Sequence, residues 1–184
     1  MAGHTTIRQA AVATVLASAV LFLCSARAPL REHHGGAGAP RPGARVLRAF
    51  EQHQLALRDS IVRFALAQVG TPYVFGGTTP ASGFDCSGLV QYVYSRHYLT
   101  PPRTAARQAR IGTAIQRDRL QRGDILAFGR DSVTHIGIYV GDRKFVHASS
   151  VAGRVIVSSI DRAPTVQIRP MVGARRVLVV AAAN

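Results

Sequence analysis

The chain is short of cysteine, tryptophan and acidic side chains. Of its 184 residues only Cys24 and Cys86 are cysteines, and none is tryptophan. Two cysteines so far apart lack the short-range ligand spacing of a structural zinc site. The chain is well supplied with apolar residues, which make up 47% of it. We therefore expect the hydrophobic core of one domain, together with a leader and a linker.

Acidic residues are outnumbered by basic ones. There are 9 Asp and Glu against 23 Lys and Arg, a net charge of +14, and Lys144 is the only lysine. A basic surface attracts polyanions such as nucleic acid, anionic lipid or an acidic envelope polymer, although a general bias towards arginine would look the same. The basic residues form no run of five or more and no aromatic residues are interleaved with them. Nucleic acid is therefore not expected as a partner.

The N-terminus has the pattern of an export signal. A short basic segment, Met1–Arg8, precedes the apolar run Ala10–Leu23, which has the length of a signal sequence and is too short for a comfortable membrane span. Residues 1–28 are therefore predicted to be a leader. Two processing sites compete: a lipobox-like segment that would lipidate Cys24, which we favour, and cleavage after Ala28. An uncleaved signal anchor is the third alternative.

Export changes the meaning of Cys86. Once Cys24 is lipidated or removed, Cys86 has no partner in its own chain. A lone thiol outside the cytoplasm is a liability unless it is buried or used. The position of Cys86 in the fold therefore decides what it does.

A linker is predicted before the folded part. Residues 29–45 are rich in Gly and Pro and have no apolar period, which is typical of a flexible tether. The adjacent His33 and His34 would make a poor metal chelate within it. The folded domain is predicted over 46–184, with its core at about 60–180.

Helical periodicity is confined to the first half of this domain. One helix is predicted to be capped by Asp59 or Ser60 and to stop at Gly70, with an earlier helix or an extension upstream. A second helix is predicted to start near Asp85, where apolar residues recur at helical spacing. Arg103–Ile111 is predicted to be a short helix or turn.

After Gly123 the apolar period changes to two, which predicts strands. Helices first and antiparallel strands second indicate an α+β domain with helices packed on a sheet of about five to six strands. The strand candidates are Asp124–Phe128, His135–Val140, Lys144–Ala148, Arg154–Ser158 and Arg175–Val180.

Cys86 lies at the predicted first turn of the second helix. Backbone N–H groups are unpaired there and the helix dipole is positive, so both favour the thiolate that attacks carbonyl carbon. Such a cysteine needs a base, and histidine supplies one near neutral pH. The alternative is a buried structural cysteine.

Two histidines can supply that base. His135 and His147 are predicted on neighbouring strands joined by a tight turn at Gly141-Asp142. If the connection holds an odd number of residues, both side chains fall on one face of the sheet. That face, with Gly137 leaving room for a close approach, is predicted to lie under the helix that carries Cys86. An even connection would separate the histidines and break this hypothesis.

Zinc is the competing chemistry for the same residues. Cys86, His135 and His147 could be three zinc ligands, but no further cysteine is available to them. We therefore expect neither a metal nor another cofactor.

Six blocks occur in order along the second part of the chain: Gly70–Gly77, Asp85–Val90, Pro102–Gln108, Leu120–Ile125, His135–Tyr139 and Phe145–Ala148. Together they resemble the NlpC/P60 cysteine peptidases, papain-like enzymes that cut peptidoglycan stem peptides. The resemblance covers about 60–180. Phe75 stands where that family often has tryptophan.

The resemblance implies a catalytic triad. Cys86 would be the nucleophile, His135 the general base, and His147 the third polar residue that fixes the tautomer of His135. The reaction would pass through a thioester acyl-enzyme that water hydrolyses.

The resemblance also implies substrate contacts. Tyr73 would line the site, and Asp85 and Ser87 would help to hold the stem peptide. Tyr73 could instead be a core aromatic residue. Asp85 could instead be, or also be, a helix N-cap.

The function implied by the resemblance is that of a monomeric peptidoglycan endopeptidase of the cell envelope. The layout resembles that of periplasmic or outer-membrane lipoproteins anchored through Cys24. A non-catalytic scaffold that binds stem peptides, and an amidase or acyltransferase acting on another substrate, are the alternatives.

Overall fold

The computed structural model describes residues 42–161 and 169–177. The chain divides into two units, 1–39 and 40–184, and all described residues belong to the second. The predicted leader at 1–28 and most of the predicted linker lie outside the described residues. Within the described ranges, no helix is long and apolar enough to cross a membrane.

The first helix, α1, runs from Pro42 to Leu66 and begins inside the predicted linker. Proline fits the first helical turn because its missing N–H would have no partner there. The predicted cap at Asp59 or Ser60 is wrong, since both residues lie inside the helix. No proline or glycine interrupts the chain between there and the upstream apolar residues, so the helix continues. The predicted extension is therefore the correct alternative.

The second and third helices agree with the sequence pattern. Helix α2 is Cys86–Ser95, and Asp85 caps it by accepting a hydrogen bond from the Gly88 N–H. Helix α3 is the short Ala105–Gln108. Before α2, the strands β1 (Thr78–Thr79) and β2 (Gly83–Phe84) form a small hairpin within the predicted loop.

The main sheet has six strands, in the order β3-β8-β4-β5-β6-β7. All of its pairs are antiparallel, which confirms the predicted α+β class. Strand β3 was not predicted. Strand β8 begins upstream of the predicted final strand, Arg175–Val180, and overlaps it at Arg175 and Arg176, while the last residues of that prediction are outside the described ranges. The strands are β3 Thr113–Ala114, β4 Ile125–Gly129, β5 Val133–Gly141, β6 Lys144–Ser149, β7 Arg154–Ser159 and β8 Met171–Arg176.

Each face of the sheet has its own apolar cluster. On one face, Leu89 and Val93 of α2 pack with Ile136, Ile138 and Val146; we call this the helix-side core. On the other face, the far-side core consists of Leu126, Phe128, Phe145, Ile160 and Ala174. Alternation along β5 and β6 sends consecutive side chains to opposite clusters.

A buried carboxylate joins α1 to the sheet. Asp124 is fully buried, and its carboxylate accepts hydrogen bonds from the Arg176 guanidinium at 2.8 and 2.9 Å. The Gln121 N–H donates to the same carboxylate at 2.8 Å, and Arg58 of α1 lies 3.4 Å away. These contacts fix the start of β4, the strand next to the one that carries His135.

Replacing Asp124 by alanine should destabilise the domain by about 3–5 kcal/mol, because it leaves two largely buried guanidinium groups without their anion. Equilibrium urea unfolding measures this. Asp59→Ala is the matched control, since the Asp59–Arg122 pair has side chains 64% and 50% exposed. Such surface pairs contribute less than about 1 kcal/mol. Equal losses in the two variants would show that the buried network does not stabilise the fold.

Candidate active site

The β5–β6 hairpin places both histidines on one face, although its turn differs from the one predicted. The central turn residues are Asp142 and Arg143, both with positive φ (49° and 56°), as in a type I′ hairpin turn. A register shift between Tyr139 and Gly141 marks a bulge that adds one residue to β5. The turn itself has an even number of residues, two. The extra residue of the bulge makes the whole connection odd, which is the condition for both histidines to lie on one face.

The register shows how the histidines meet. Tyr139 pairs with Phe145 and Ile138 with Val146, so the same register places Gly137 opposite His147 and His135 diagonal to it. A Cβ on Gly137 would lie 2.8 Å from the Val146 carbonyl oxygen and 3.2 Å from the His147 Cβ. Glycine is therefore required at this position, as the sequence indicated.

The two imidazoles are hydrogen-bonded to each other. His135 Nε2 lies 2.7 Å from His147 Nδ1, with the rings nearly perpendicular at 86°. The far-side core supports the pair, since the Phe145 ring stacks on His147 at 4.7 Å. The hydrogen bond between the two imidazoles engages His135 Nε2 and leaves His135 Nδ1 as the nitrogen that can take up a proton.

The position of Cys86 relative to the histidines differs from the one predicted from the sequence. The helix α2 packs on the Ile136 and Ile138 face, whereas His135 and His147 lie on the opposite face with the far-side core. The prediction that the histidines lie under α2 is wrong. Cys86 packs on the helix-side core and also lines the cavity that holds both histidines, and the backbone N–H of Ile136, the residue after His135, is close enough to lower the pKa of the thiol.

The Cys86 thiol is more neutral at rest than its position at a helix start suggests. Burial raises its pKa, and the Asp85 carboxylate adds to the rise. Backbone N–H groups of Ile136, Ser87 and Cys86 itself lower the pKa, as expected at a helix N-terminus, but do not outweigh burial. Cys86 is therefore a thiol at neutral pH, and forming the thiolate there would need a base.

The two histidines are neutral at ordinary pH. Burial lowers the pKa of His135 to about 4, and the positive charge of Arg169 contributes. Burial lowers the pKa of His147 to about 3, with His135 contributing. The Cys86 thiol and the His135 imidazole line the same cavity, and a neutral imidazole is the form that can accept a thiol proton.

This burial makes folding sensitive to acid. The ordinary histidine pKa of 6.5 applies after unfolding, so the unfolded chain binds more protons than the folded one between about pH 6.5 and 4. The free energy of unfolding should therefore fall as the pH falls, by roughly 2 kcal/mol for each buried histidine at pH 4.5. Urea unfolding at pH 7.0 and 4.5 measures the loss.

Two variants provide the comparison. His147→Gln should reduce the pH dependence of the unfolding free energy by the contribution of one buried histidine, and His53→Gln should leave it unchanged. His53 is exposed on α1 and is the matched control. If His147→Gln retained the full pH dependence of the wild type, the buried neutral state of His147 would be contradicted.

A closed polar network lies directly behind Cys86. Arg103 donates to both Asp85 carboxylate oxygens, at 3.0 and 2.6 Å, and to the Ser87 hydroxyl at 2.9 Å. The N–H groups of Gly76 and Gly88 donate to the same carboxylate at 3.0 and 2.7 Å. Burial alone would raise the pKa of Asp85, but these hydrogen bonds outweigh it and hold the pKa below its ordinary value.

A cavity of about 750 Å³ opens above the reactive groups. Cys86, His135, His147 and Tyr73 all line it, whereas Asp85 and Ser87 are not among its described lining residues. Hydrogen bonds hold the Tyr73 loop to the start of β7, including one from the Tyr73 N–H to the Gly153 carbonyl at 2.8 Å. Burial raises the pKa of Tyr73, with the nearby Cys86 and Asp85 adding to it, so its hydroxyl stays protonated.

Three residues of the site were not singled out from the sequence. Arg103 lies in one of the six blocks, but it is 18 residues from Asp85, so only the fold shows that the two residues pair. Arg169 lines the cavity beside His135, and Ser158 contacts His147. No sequence motif marks the last two, because only the folded sheet brings Ser158 of β7, and Arg169 just before β8, to the histidines.

Comparison with known proteins shows the family of the chain. The model of the NlpC/P60 family matches residues 70–174, more than half of the chain. The chain belongs to the NlpC/P60 family. The matched region holds Cys86, His135 and His147, and the N-terminal helix α1 precedes it.

Two curated relatives are longer than this chain. The gamma-DL-glutamyl hydrolase of Bacillus subtilis is 42% identical over 95 residues, which cover 48% of this chain and 22% of the relative. The murein DD-endopeptidase MepH of Escherichia coli is 38% identical over 119 residues, covering 61% and 43%. The chain thus spans less than half of either relative.

A solved NlpC/P60 structure confirms the fold. A lipoprotein-like family member from Staphylococcus aureus superposes with a TM-score of 0.59 at 33% identity, covering 67% of this chain and 42% of that one. The papain-like NlpC/P60 fold predicted from the sequence is therefore correct.

Proposed function

We propose that the protein is a peptidoglycan endopeptidase in which Cys86 is the nucleophile and His135 the general base. The observation that carries the proposal is the hydrogen bond between His135 Nε2 and His147 Nδ1 on the wall of the cavity that Cys86 lines. The bond occupies Nε2 of His135 and so reserves Nδ1 for the thiol proton. His147 is the orienting residue in this proposal.

The reaction follows from these positions. The Cys86 thiol gives its proton to His135 Nδ1, and the sulfur attacks the carbonyl carbon of the scissile amide. The N–H groups at the start of α2 stabilise the oxyanion, where one such donor contributes about 10²–10³ in rate. His135 then protonates the leaving amine, which departs, and water attacks the thioester with His135 again as base. The carboxylic acid leaves and the thiol is restored.

The cavity fits an acidic peptide. Arg169 lines it beside His135, and Arg169 makes no hydrogen bond or ion pair within the described part of the chain, so its guanidinium is available to a substrate carboxylate. Stem peptides carry such groups on their D-Glu and diaminopimelate units. Relatives named murein DD-endopeptidase and gamma-DL-glutamyl hydrolase support this substrate class.

Tyr73, Asp85 and Ser87 take two different parts in this proposal. Tyr73 contacts the bound peptide, because it lies on the cavity wall. Asp85 and Ser87 lie behind Cys86 and reach the peptide through Arg103, whose side chain is 39% exposed and hydrogen-bonded to both. The chain acts as a monomer and needs no cofactor.

The proposed location is the cell envelope. Residues 1–28 direct export, residues 29–41 provide a tether, and a lipidated Cys24 anchors the domain to a membrane. The Staphylococcus aureus relative described as similar to a lipoprotein supports this layout.

Digestion of purified sacculi tests the proposed function. The mature protein should release muropeptides, and mass spectrometry of the products identifies the amide bond that is cut. A protein that binds sacculi and releases nothing would instead be a scaffold for stem peptides. Release of products with no peptide bond cut would point to an amidase or acyltransferase.

A further inference from the structure

Ser158 is the third member of a diagonal row of polar side chains that crosses three strands. His147 pairs with Ile156 across β6 and β7, so Ser158, two residues further along, is diagonal to His147 on the same face. This repeats the relation between His147 and His135 across β5 and β6. The row His135, His147, Ser158 therefore follows from two strand registers.

The contacts within the row are short. His147 Nδ1 lies 2.7 Å from His135 Nε2, and His147 Nε2 lies 3.0 Å from the Ser158 Oγ. Both ring nitrogens of His147 are thus engaged by side chains. Ser158 is half-buried and lines the cavity, so its own hydrogen can point to solvent.

The direction of these hydrogen bonds matters for the base. When His135 takes a proton from the thiol, both of its nitrogens carry hydrogen, so Nε2 must donate to His147 Nδ1. A neutral His147 then carries its hydrogen on Nε2, and Ser158 Oγ must accept it. If Ser158 donated instead, every bond would reverse and His135 Nδ1 would already be protonated.

We propose that Ser158 is a positioning residue that sets the tautomer of His147 by accepting a hydrogen bond from Nε2, and through it keeps Nδ1 of His135 free to act as base. Ser158 touches neither the thiol nor the scissile bond. Its effect passes through two imidazoles, in the way that a second partner fixes the tautomer of a metal-bound or catalytic histidine. The tautomer assignment does not depend on the proposed function. Only the expected effect of Ser158 on peptide hydrolysis rests on it.

Nitrogen-15 NMR of the full chain labelled in its histidines tests the assignment without substrate. The wild type should show His147 protonated on Nε2 alone, and Ser158→Ala should mix the two tautomers. Ser158→Thr keeps a hydroxyl group and should restore the single tautomer. A wild-type His147 protonated on Nδ1 would overturn the proposal, and so would a Ser158→Ala spectrum that matches the wild type.

The alkylation rate of Cys86 by iodoacetamide at pH 7 gives a second readout. Ser158→Ala should slow it about tenfold, because the Nε2 hydrogen of His147 loses its partner when His135 is charged. Ser158→Thr should recover most of the rate, and equal rates in all three proteins would overturn the proposal. If the wild type released nothing from sacculi while both readouts responded to Ser158→Ala, the proposed function would fail and the positioning role would stand.

Discussion

Cys86→Ala should abolish the release of muropeptides from sacculi, with a loss of at least ~10⁴-fold in rate. The reason is that in the proposed mechanism the thiol supplies the bond-forming atom, and no other described cysteine exists to replace it. The His135–His147 pair would remain, but a base without a nucleophile has no covalent step to assist. Muropeptide release over time, followed by chromatography and mass spectrometry, measures the loss.

Folding has to be separated from chemistry in this comparison. Cys86 packs against the helix-side core, so the variant should be checked by its unfolding midpoint before its activity is measured. Ser95→Ala, at the other end of α2, is the control, since its hydroxyl group bonds only to the Tyr92 carbonyl among the described contacts. A folded Cys86→Ala protein that retained a tenth of the wild-type rate would refute the role of Cys86.

His135→Ala should lower the turnover rate by about 10³-fold and leave sacculus binding largely intact. The resting thiol is neutral because burial raises its pKa, so the proposed mechanism depends on His135 to generate the thiolate. The loss of turnover rate should be larger than in a site where the helix N-terminus alone keeps the cysteine as a thiolate, because such a site would not need a base. Turnover measured over pH 6–10 gives the size of the effect, and raising the pH should recover part of the activity as hydroxide replaces the base.

The exposed His53 provides the matched control for this variant, and His53→Gln should behave as the wild type. The turnover rate of His147→Ala should lie between those of His135→Ala and His53→Gln. In the proposed mechanism, His147 orients the base and does not itself take the thiol proton. If His147→Ala were more damaging than His135→Ala at every pH, the assignment of base and orienting residue would have to be exchanged.

Much of the site could be predicted from local pattern. The start of α2 at Cys86 followed from a capping aspartate and an apolar stripe, and Asp85 does cap the helix. The two histidine strands followed from alternation and a turn, and their pairing in one hairpin is confirmed. These features depend on residues that are neighbours in sequence, which is why sequence reasoning found them.

Hairpin parity could not be predicted from the turn residues. Gly141-Asp142 suggested the turn, but the central residues are Asp142 and Arg143, and the count becomes odd only because β5 contains a bulge before Gly141. A bulge is set by how a strand twists against both of its neighbours. A bulge has no fixed residue signature. The sequence therefore predicted that both histidines lie on one face, but it did not predict the bulge that places them there.

The electrostatics of the site depended on tertiary packing. A helix start favours thiolate, but the burial of Cys86, which raises its pKa, comes from contacts with distant strands. The same holds for Asp85, whose partner Arg103 is 18 residues away. It also holds for Ser158, which meets His147 only because β6 and β7 pair in one particular register.

The central claim is that Cys86 forms a covalent thioester with the acyl part of a stem peptide. The most direct test is to mix the enzyme with a purified stem-peptide substrate, quench with acid within one turnover, and measure the mass of the Cys86-containing peptide. The account predicts a mass increase equal to the acyl fragment, on Cys86 alone and absent from Cys86→Ala. Product formation without any adduct on Cys86, at a rate that Cys86→Ala matches, would contradict it.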